Sequence, residues 1–193
     1  MKKIIGLTGP TGAGKSSACA ICKELGIKHI DCDIIARKAT EKGGEGLLAV
    51  VKAFGEDILN ADGTLNRKAL AEKAFKDADS TDLLNKTLLP IIHKMVLNEI
   101  DCDRVLLDAP TLFESGVNEI CHKTVAVLAD REIRLKRILS RDNITTEQAL
   151  LRINAGKTDD FYKEKCDFVI YNNADEHTFK NDFLNLLKEI FEL

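Results

Sequence analysis

Residues Lys3 to Ser17 read KIIGLTGPTGAGKSS, a short apolar run that breaks into a glycine-rich turn and ends on Lys-Ser-Ser. The run Lys3–Thr8 predicts a buried strand, and a helix is expected from about Gly14 to Leu25, with Gly26 in the C-cap position. Between them, Gly9 to Ser16 matches the pattern G-x-x-x-x-G-K-[ST] at every defined position. Glycines at these places let the backbone fold tightly and turn several N–H groups toward one anion. The partial positive charge of the helix N-terminus adds to that field. Gly9, Thr11, Gly12, Ala13, Gly14, Lys15, Ser16 and Ser17 are therefore the candidate cradle for a nucleoside triphosphate. Lys15 is expected to reach the β- and γ-phosphates, and Ser16 to offer its hydroxyl to Mg²⁺. The alternative is a structural glycine turn with an incidental Lys-Ser.

Further along the chain, strand and helix patterns alternate. His29–Asp31, Arg104–Asp108, Thr124–Leu128 and Phe168–Ile170 read as strands, and their continuous apolar character suits a parallel sheet covered on both faces. Helical periodicity marks Ile34 to about Thr40, Glu132–Ser140, Thr146–Ala155 and Glu176–Phe191. Between Glu45 and Ile100 only helical patterns appear, over Gly46–Phe54, Arg67–Phe75 and Thr81–Ile100. The last is expected to break or kink at Pro90, and Asn60-Ala61-Asp62-Gly63 is a turn signal. The expected architecture is one α/β domain over 1–193, a three-layer α/β/α stack on a five-stranded parallel sheet. It carries a helical insertion at about 45–100.

Composition narrows the function. With 193 residues the chain buries roughly 70% of the surface of its unfolded form, so no metal or disulfide staple is required. A net charge of −3 argues against nucleic acid as a bulk partner. The apolar run at the N-terminus stops at Gly9-Pro10, short of a secretory core, and no segment reaches the ~18 apolar residues of a membrane span. Six scattered cysteines read as reduced thiols in a cytoplasmic protein; Cys19-x-x-Cys22 merely shares one helix face. Oligomeric state is left open.

Ligands of open α/β sheets bind beyond the carboxyl ends of the strands, so acidic residues there are candidates for chemistry. Asp108 closes the run RVLLD, a position suited to holding Mg²⁺ directly or through water. Asp31 and Asp33 follow the second strand, and two-residue alternation would point them the same way. Asp33 is read either as a carboxylate orienting an attacking hydroxyl or as the N-cap of the Ile34 helix. Arg134, Arg137 and Arg141 recur at i, i+3 and i+7 after the fourth strand. Arg137 and Arg141 suit a lid, spanning about 131–160, that closes guanidiniums over transferring phosphates. Arg134 is expected on a solvated face. Neither a guanine-type N-K-x-D nor a D-x-x-G switch is present, which leaves a kinase for a small acceptor as the natural reading.

Taken together, these segments resemble the dephospho-coenzyme A kinase family over nearly the whole chain. The resemblance is carried by IIGLTGPTGAGKSS, IDCDIIAR, FGEDILNADGTLNRKAL, VLLDAPTLFESG, RLKRILSRD and CDFVIYNN. It implies transfer of the γ-phosphoryl group of ATP, with Mg²⁺, to the ribose 3′-hydroxyl of dephospho-coenzyme A. It further implies a fold like that of the nucleoside monophosphate kinases and an acceptor-binding role for the helical insertion. Asp33 falls on the carboxylate that faces the acceptor, with Arg37 one turn further on, and Arg137 and Arg141 fall on the lid arginines. CDFVIYNN would supply part of the adenine-side wall. Pro10, Leu89, Thr111, Gly156 and Tyr162 depart from the family's usual residues. Two other readings stay open: a P-loop kinase for a nucleoside, its monophosphate or another alcohol, and a nucleotide switch without an acceptor.

Overall fold

A computed structural model describes residues 2–192. Five strands, β1 (Lys3–Thr8), β2 (Lys28–Asp31), β3 (Arg104–Asp108), β4 (Lys123–Leu128) and β5 (Phe168–Tyr171), form an all-parallel sheet in the order β2-β3-β1-β4-β5. Helices α1 (Lys15–Glu24), α6 (Arg131–Asp142), α7 (Thr146–Asn154), α8 (Asp159–Lys165) and α9 (Glu176–Phe191) belong to the same compact unit, made of Met1–Ile30 and Cys102–Leu193. The three-layer α/β/α class expected from the alternation is the one observed. β1 lies in the middle, in register with β3 from Lys3↔Arg104 and with β4 from Ile5↔Lys123. The chain therefore departs to one side after β1 and returns on the other, the arrangement that opens a crevice at the carboxyl ends of parallel strands.

Alternation along β4 shows how both faces are covered. Val125 and Val127 pack with Ile5, Leu7, Ala18, Cys22, Phe179 and Phe183, which brings α1 and α9 onto one face. Ala126 and Leu128 point the other way and pack with Tyr162 of α8. A strand buried on both faces needs a continuous apolar run, and TVAVL supplies it. Helix α8 is absent from the sequence reading. Its one apolar pair, Phe161-Tyr162, shows no period, whereas its start is marked by the Thr158 side chain accepting from the Phe161 N–H and by acids at 159 and 160.

The second compact unit runs from Asp31 to Asp101 and holds α2 (Cys32–Ala39), α3 (Glu45–Phe54), α4 (Arg67–Ala74) and α5 (Ala78–Glu99). Its core gathers Leu47, Val50, Ile58, Leu70 and Ala74, with Leu84 and Leu88 against them. The 60–63 turn is present: the Asn60 N–H donates to Thr64 O, the Gly63 N–H to Asn60 O, and Leu59 bridges Leu65. Two expectations are corrected. Helix α5 is not broken at Pro90, and it begins three residues early, at Ala78, where the Asp77 carboxylate caps the Ser80 N–H. Proline removes one ladder hydrogen bond, and over 22 residues the cap and the packing of Leu84, Leu88, Ile92 and Val96 outweigh that loss. Helix α2 begins at Cys32, so the strand alternation stops at Asp31. Asp31 is the N-cap, accepting from the Ile34 N–H at 3.0 Å, and Asp33 lies in the first helical turn.

Phe183 is completely buried between α9 and the sheet. Phe183→Ala is expected to lower unfolding free energy by about 3–5 kcal/mol, whereas Leu151→Ala, on an exposed helix face, changes it by less than ~0.5. Equilibrium urea denaturation separates the two, and equal losses would show that the core is misplaced.

Candidate active site

The loop after β1 needs left-handed backbone at Gly9, Gly12 and Gly14, whose φ angles are +140°, +78° and +100°. Space forbids side chains there as well. A β-carbon on Gly9 would strike the Val127 carbonyl, one on Gly12 the Arg134 carbonyl at 2.8 Å, and one on Gly14 the Asn172 amide. Glycine spacing in the motif thus reflects three separate close approaches by β4, α6 and the end of β5. Pro10 is accommodated: it offers its carbonyl to the Ala13 N–H at 3.2 Å. Lys15 folds back over the loop, its Nζ donating to Gly9 O at 2.8 Å. Ser16 is exposed at the start of α1, whose first turn holds no acidic residue to offset the positive end of its dipole.

Arginines from α6 brace this loop. Arg134, expected on a solvated face, is instead 6% exposed and donates from Nε to Thr11 O at 2.9 Å. Burial pulls its guanidinium below the ordinary arginine range, and its Nη2 has no hydrogen-bond partner. Arg137 donates to Ala13 O at 3.2 Å and to the carbonyl and side-chain oxygen of Asn172 at 3.0 and 3.2 Å. Asn172, itself buried, returns a bond from Nδ2 to Ala13 O at 3.0 Å. Arg141 is exposed and forked on Asp142 at 2.6 and 2.9 Å, a carboxylate that Arg152 also contacts. The hydrogen bond with Arg141 holds Asp142 below the usual carboxylate range and raises Arg141 in turn.

Asp108 completes the arrangement at the tip of β3. Its Oδ2 accepts from Cys19 Sγ at 3.4 Å and lies 3.7 Å from His29 Nε2. Its Oδ1 is buried without a hydrogen-bond partner. Such an orphaned carboxylate oxygen, on a residue that lines one cavity with the exposed Ser16, fits the donor set expected for a hard cation. A cavity of about 890 Å³ joins these parts, lined by the loop, Asp108, Arg137, Arg141, Arg152, Lys157, Tyr162 and Asn172, among others. Lys157 is paired with Glu114 at 3.5 Å and sits 5.2 Å above the Phe161 ring. Burial pushes the Tyr162 hydroxyl up to about 12. All six cysteines are free thiols; burial and the Asp108 charge drive Cys19 well above the usual thiol range, and burial takes Cys22 to about 12.

Every sequence-named residue of the phosphate loop except Ala13, together with Asp108, Arg137 and Arg141, lines this one cavity. Buried Ala13 contributes through its carbonyl, which takes bonds from Arg137 and Asn172. Asp33 lies exposed in the other compact unit. Arg152 goes unnamed in the sequence analysis, Arg134 is placed there on a solvated face, and Asn172 appears there only within the CDFVIYNN segment. The one available signal was an amide at the carboxyl end of the last strand.

A central parallel strand ending in this glycine-framed anion nest, with cations across the cavity, defines a P-loop phosphotransferase of the small-molecule kinase type. Shikimate kinase from Acinetobacter baumannii shares the fold, with a TM-score of 0.54 at 16% identity over 100% of this chain and 94% of that one. The family model for dephospho-CoA kinase matches residues 3–177, and the chain belongs to that family. The dephospho-CoA kinase of Listeria monocytogenes serotype 4b is 40% identical over 194 residues, covering 97% of each chain. The structure of dephospho-CoA kinase from Campylobacter jejuni superposes with a TM-score of 0.68 at 26% identity over 98% of both chains. The family's reaction is ATP-dependent phosphorylation of dephospho-CoA, the last step of coenzyme A biosynthesis, and the chain is accordingly an ATP-dependent kinase with an alcohol acceptor. The acceptor-free switch is thereby set aside.

Asn172→Ala would leave Ala13 O and Arg137 each short of a partner. Loss of such buried bonds costs about 1–3 kcal/mol. The expected result is a matching drop in stability with ATP affinity weakened about tenfold or more, read by calorimetric titration. Unchanged affinity would show that the loop holds its shape without this brace.

Proposed function

We propose that the chain transfers the γ-phosphoryl group of ATP to the ribose 3′-hydroxyl of dephospho-coenzyme A in the cytoplasm, with Mg²⁺ held by Ser16 and Asp108. The observation that carries this reading is the single cavity in which the glycine-framed loop, the orphaned Asp108 oxygen and the α6 arginines converge. The family match supplies the acceptor. Bound Mg²⁺ would neutralise charge on the β- and γ-phosphate oxygens.

Each residue then has a role set by its chemistry. Backbone N–H groups of Gly12 and of Gly14 to Ser16 hold the phosphates, since the left-handed glycines keep them turned inward, while the Ala13 N–H stays on Pro10 O. Lys15 exchanges its bond to Gly9 O for phosphate oxygens. Arg137 stabilises charge on the transferring group. Arg141 joins it as part of a lid over about 131–160 that excludes water and limits wasteful hydrolysis. Asp33 orients the acceptor hydroxyl and takes its proton as the new O–P bond forms. The helices of about 45–100 bind the remainder of the acceptor. Support for Asp33 comes from the IDCDIIAR segment and from Asp31, not Asp33, being the N-cap, which removes the competing N-cap reading.

The deciding experiment is a coupled ADP assay with ATP, Mg²⁺ and dephospho-coenzyme A, with the product identified by mass. Acceptor-dependent ADP release and a gain of one phosphoryl group are expected. Turnover with nucleosides or their monophosphates but none with dephospho-coenzyme A would reject the reading. Asp33→Asn is expected to reduce kcat by at least ~10²-fold while ATP binding persists, and near-normal turnover would remove Asp33 from the chemistry. Arg137→Ala is expected to lower kcat by ~10³-fold, more than it weakens ATP binding, in single-turnover measurements.

A further inference from the structure

Beside the phosphate loop, three different elements bring three different metal-binding groups to one point. Cys19 comes from α1, His29 from β2 and Asp108 from β3, and one donor atom of each lies within 4.8 Å of the other two. Two edges of that triangle measure 3.4 Å, from Cys19 Sγ to Asp108 Oδ2, and 3.7 Å, from His29 Nε2 to the same oxygen. Tetrahedral coordination at ordinary Zn–S, Zn–N and Zn–O lengths sets neighbouring donors about 3.4–3.6 Å apart. Those two edges are therefore close to the spacing such an ion requires, and the third is no longer than 4.8 Å. The triangle's polar atoms are also incompletely satisfied: His29 Nε2 is buried with no hydrogen-bond partner. At 3.7 Å the nitrogen and the carboxylate oxygen are beyond hydrogen-bond reach and near the separation of two ligands on one small cation.

The donor set discriminates between metals. Mg²⁺ prefers oxygen ligands at near-octahedral geometry, whereas a thiolate and an imidazole select Zn²⁺ and its borderline neighbours. Neither Cys19 nor His29 has a place in the proposed transfer reaction, so the cluster is not accounted for by it.

We propose that Cys19, His29 and Asp108 form a three-donor site for Zn²⁺ or a similar divalent transition-metal ion, whose occupation weakens binding of Mg·ATP through the shared Asp108. The coupling half rests on the reading that Asp108 supports Mg²⁺; the binding half does not. On binding, the Cys19 thiol proton leaves to solvent as the sulfur–metal bond forms. His29 ligates as neutral imidazole and Asp108 through a carboxylate oxygen, with water completing the shell. The positive charge placed on Oδ2 withdraws electron density from Oδ1, the oxygen available to Mg²⁺, and repels the second cation.

The test uses the full chain without acceptor. Co²⁺ is titrated as a spectroscopic probe, then displaced by Zn²⁺, in the wild type and in Cys19→Ser, His29→Gln and, as a control, Cys102→Ser. A thiolate-to-cobalt charge-transfer band is expected in the wild type and in Cys102→Ser. It should be lost in Cys19→Ser, and affinity should fall at least ~10-fold in His29→Gln, the loss already seen when only a supporting partner of a metal ligand is removed. Calorimetry should then show Zn²⁺ weakening Mg·ATP binding in the wild type and not in Cys19→Ser, whose Mg·ATP affinity without Zn²⁺ stays at the wild-type value. No band, or a band that survives Cys19→Ser, overturns the site and leaves the Asp108–Mg²⁺ reading intact. A Cys19-dependent band with no effect on Mg·ATP overturns the coupling and counts against Asp108 as a Mg²⁺ support.

Discussion

Everything at this site depends on a strip of backbone being held in left-handed conformation against three rigid neighbours. At Gly9, Gly12 and Gly14 the loop approaches Val127, Arg134 and Asn172 so closely that a single carbon would not fit. Left-handed backbone costs an ordinary residue about 1–2 kcal/mol, but here the steric barrier is the larger one. The neighbours are themselves fixed: Val127 is fully buried in β4, and Arg134 and Asn172 are buried and bonded to the loop's own carbonyls. The loop is thus gripped through carbonyl oxygens, Thr11 O and Ala13 O among them, and the Ala13 N–H is turned back onto Pro10 O, so the anion falls to the motif's other N–H groups. That separation of the two backbone polar groups is what makes a preformed phosphate cradle possible.

Much of this was legible because it is local. Strands β1 and β3 and helix α9 fall on the expected boundaries, since continuous apolar runs and 3.6-residue periodicity report directly on burial. The loop was legible for the same reason. What sequence reading misjudged is tertiary. Arg134 occupies the same helix stripe as Arg137 and Arg141, and nothing in the stripe distinguishes the one that turns beneath the loop. Helix α5 passes through Pro90 because neighbours pack on it. At Asp31 and Asp33 the uncertainty was one of two residues: strand alternation was carried past the point where the Asp31 carboxylate starts a helix.

The α6 arginines illustrate how neighbours of one residue type divide labour. Arg137 is fixed by neutral acceptors, two carbonyls and an amide oxygen, so its full positive charge remains directed at the cavity. Arg141 is neutralised by Asp142, and Asp142 in turn is shared with Arg152. A phosphate arriving at Arg137 meets a group already oriented. One arriving at Arg141 must compete with a carboxylate, although exposure to water keeps that ion pair weak. On the proposed reading, preorganisation suits Arg137 to charge stabilisation, and exchangeable pairing suits Arg141 to a group that changes partners.

A similar division exists within one side chain at Asp108. Its Oδ2 is occupied by the Cys19 thiol and faces His29, while its Oδ1 is buried and bare. A carboxylate with both oxygens solvated would bind a cation weakly, because water would have to be displaced first. Here burial has already removed that water, and the thiol donor satisfies only one oxygen. The residual demand for a positive partner at Oδ1 is therefore built into the fold, and its strength depends on what sits at Oδ2. A neutral thiol there leaves the negative charge available to the cavity; a cation there consumes it. On the proposed reading of Asp108, Cys19 and His29 set how much charge the strand tip offers to a cation in the cavity.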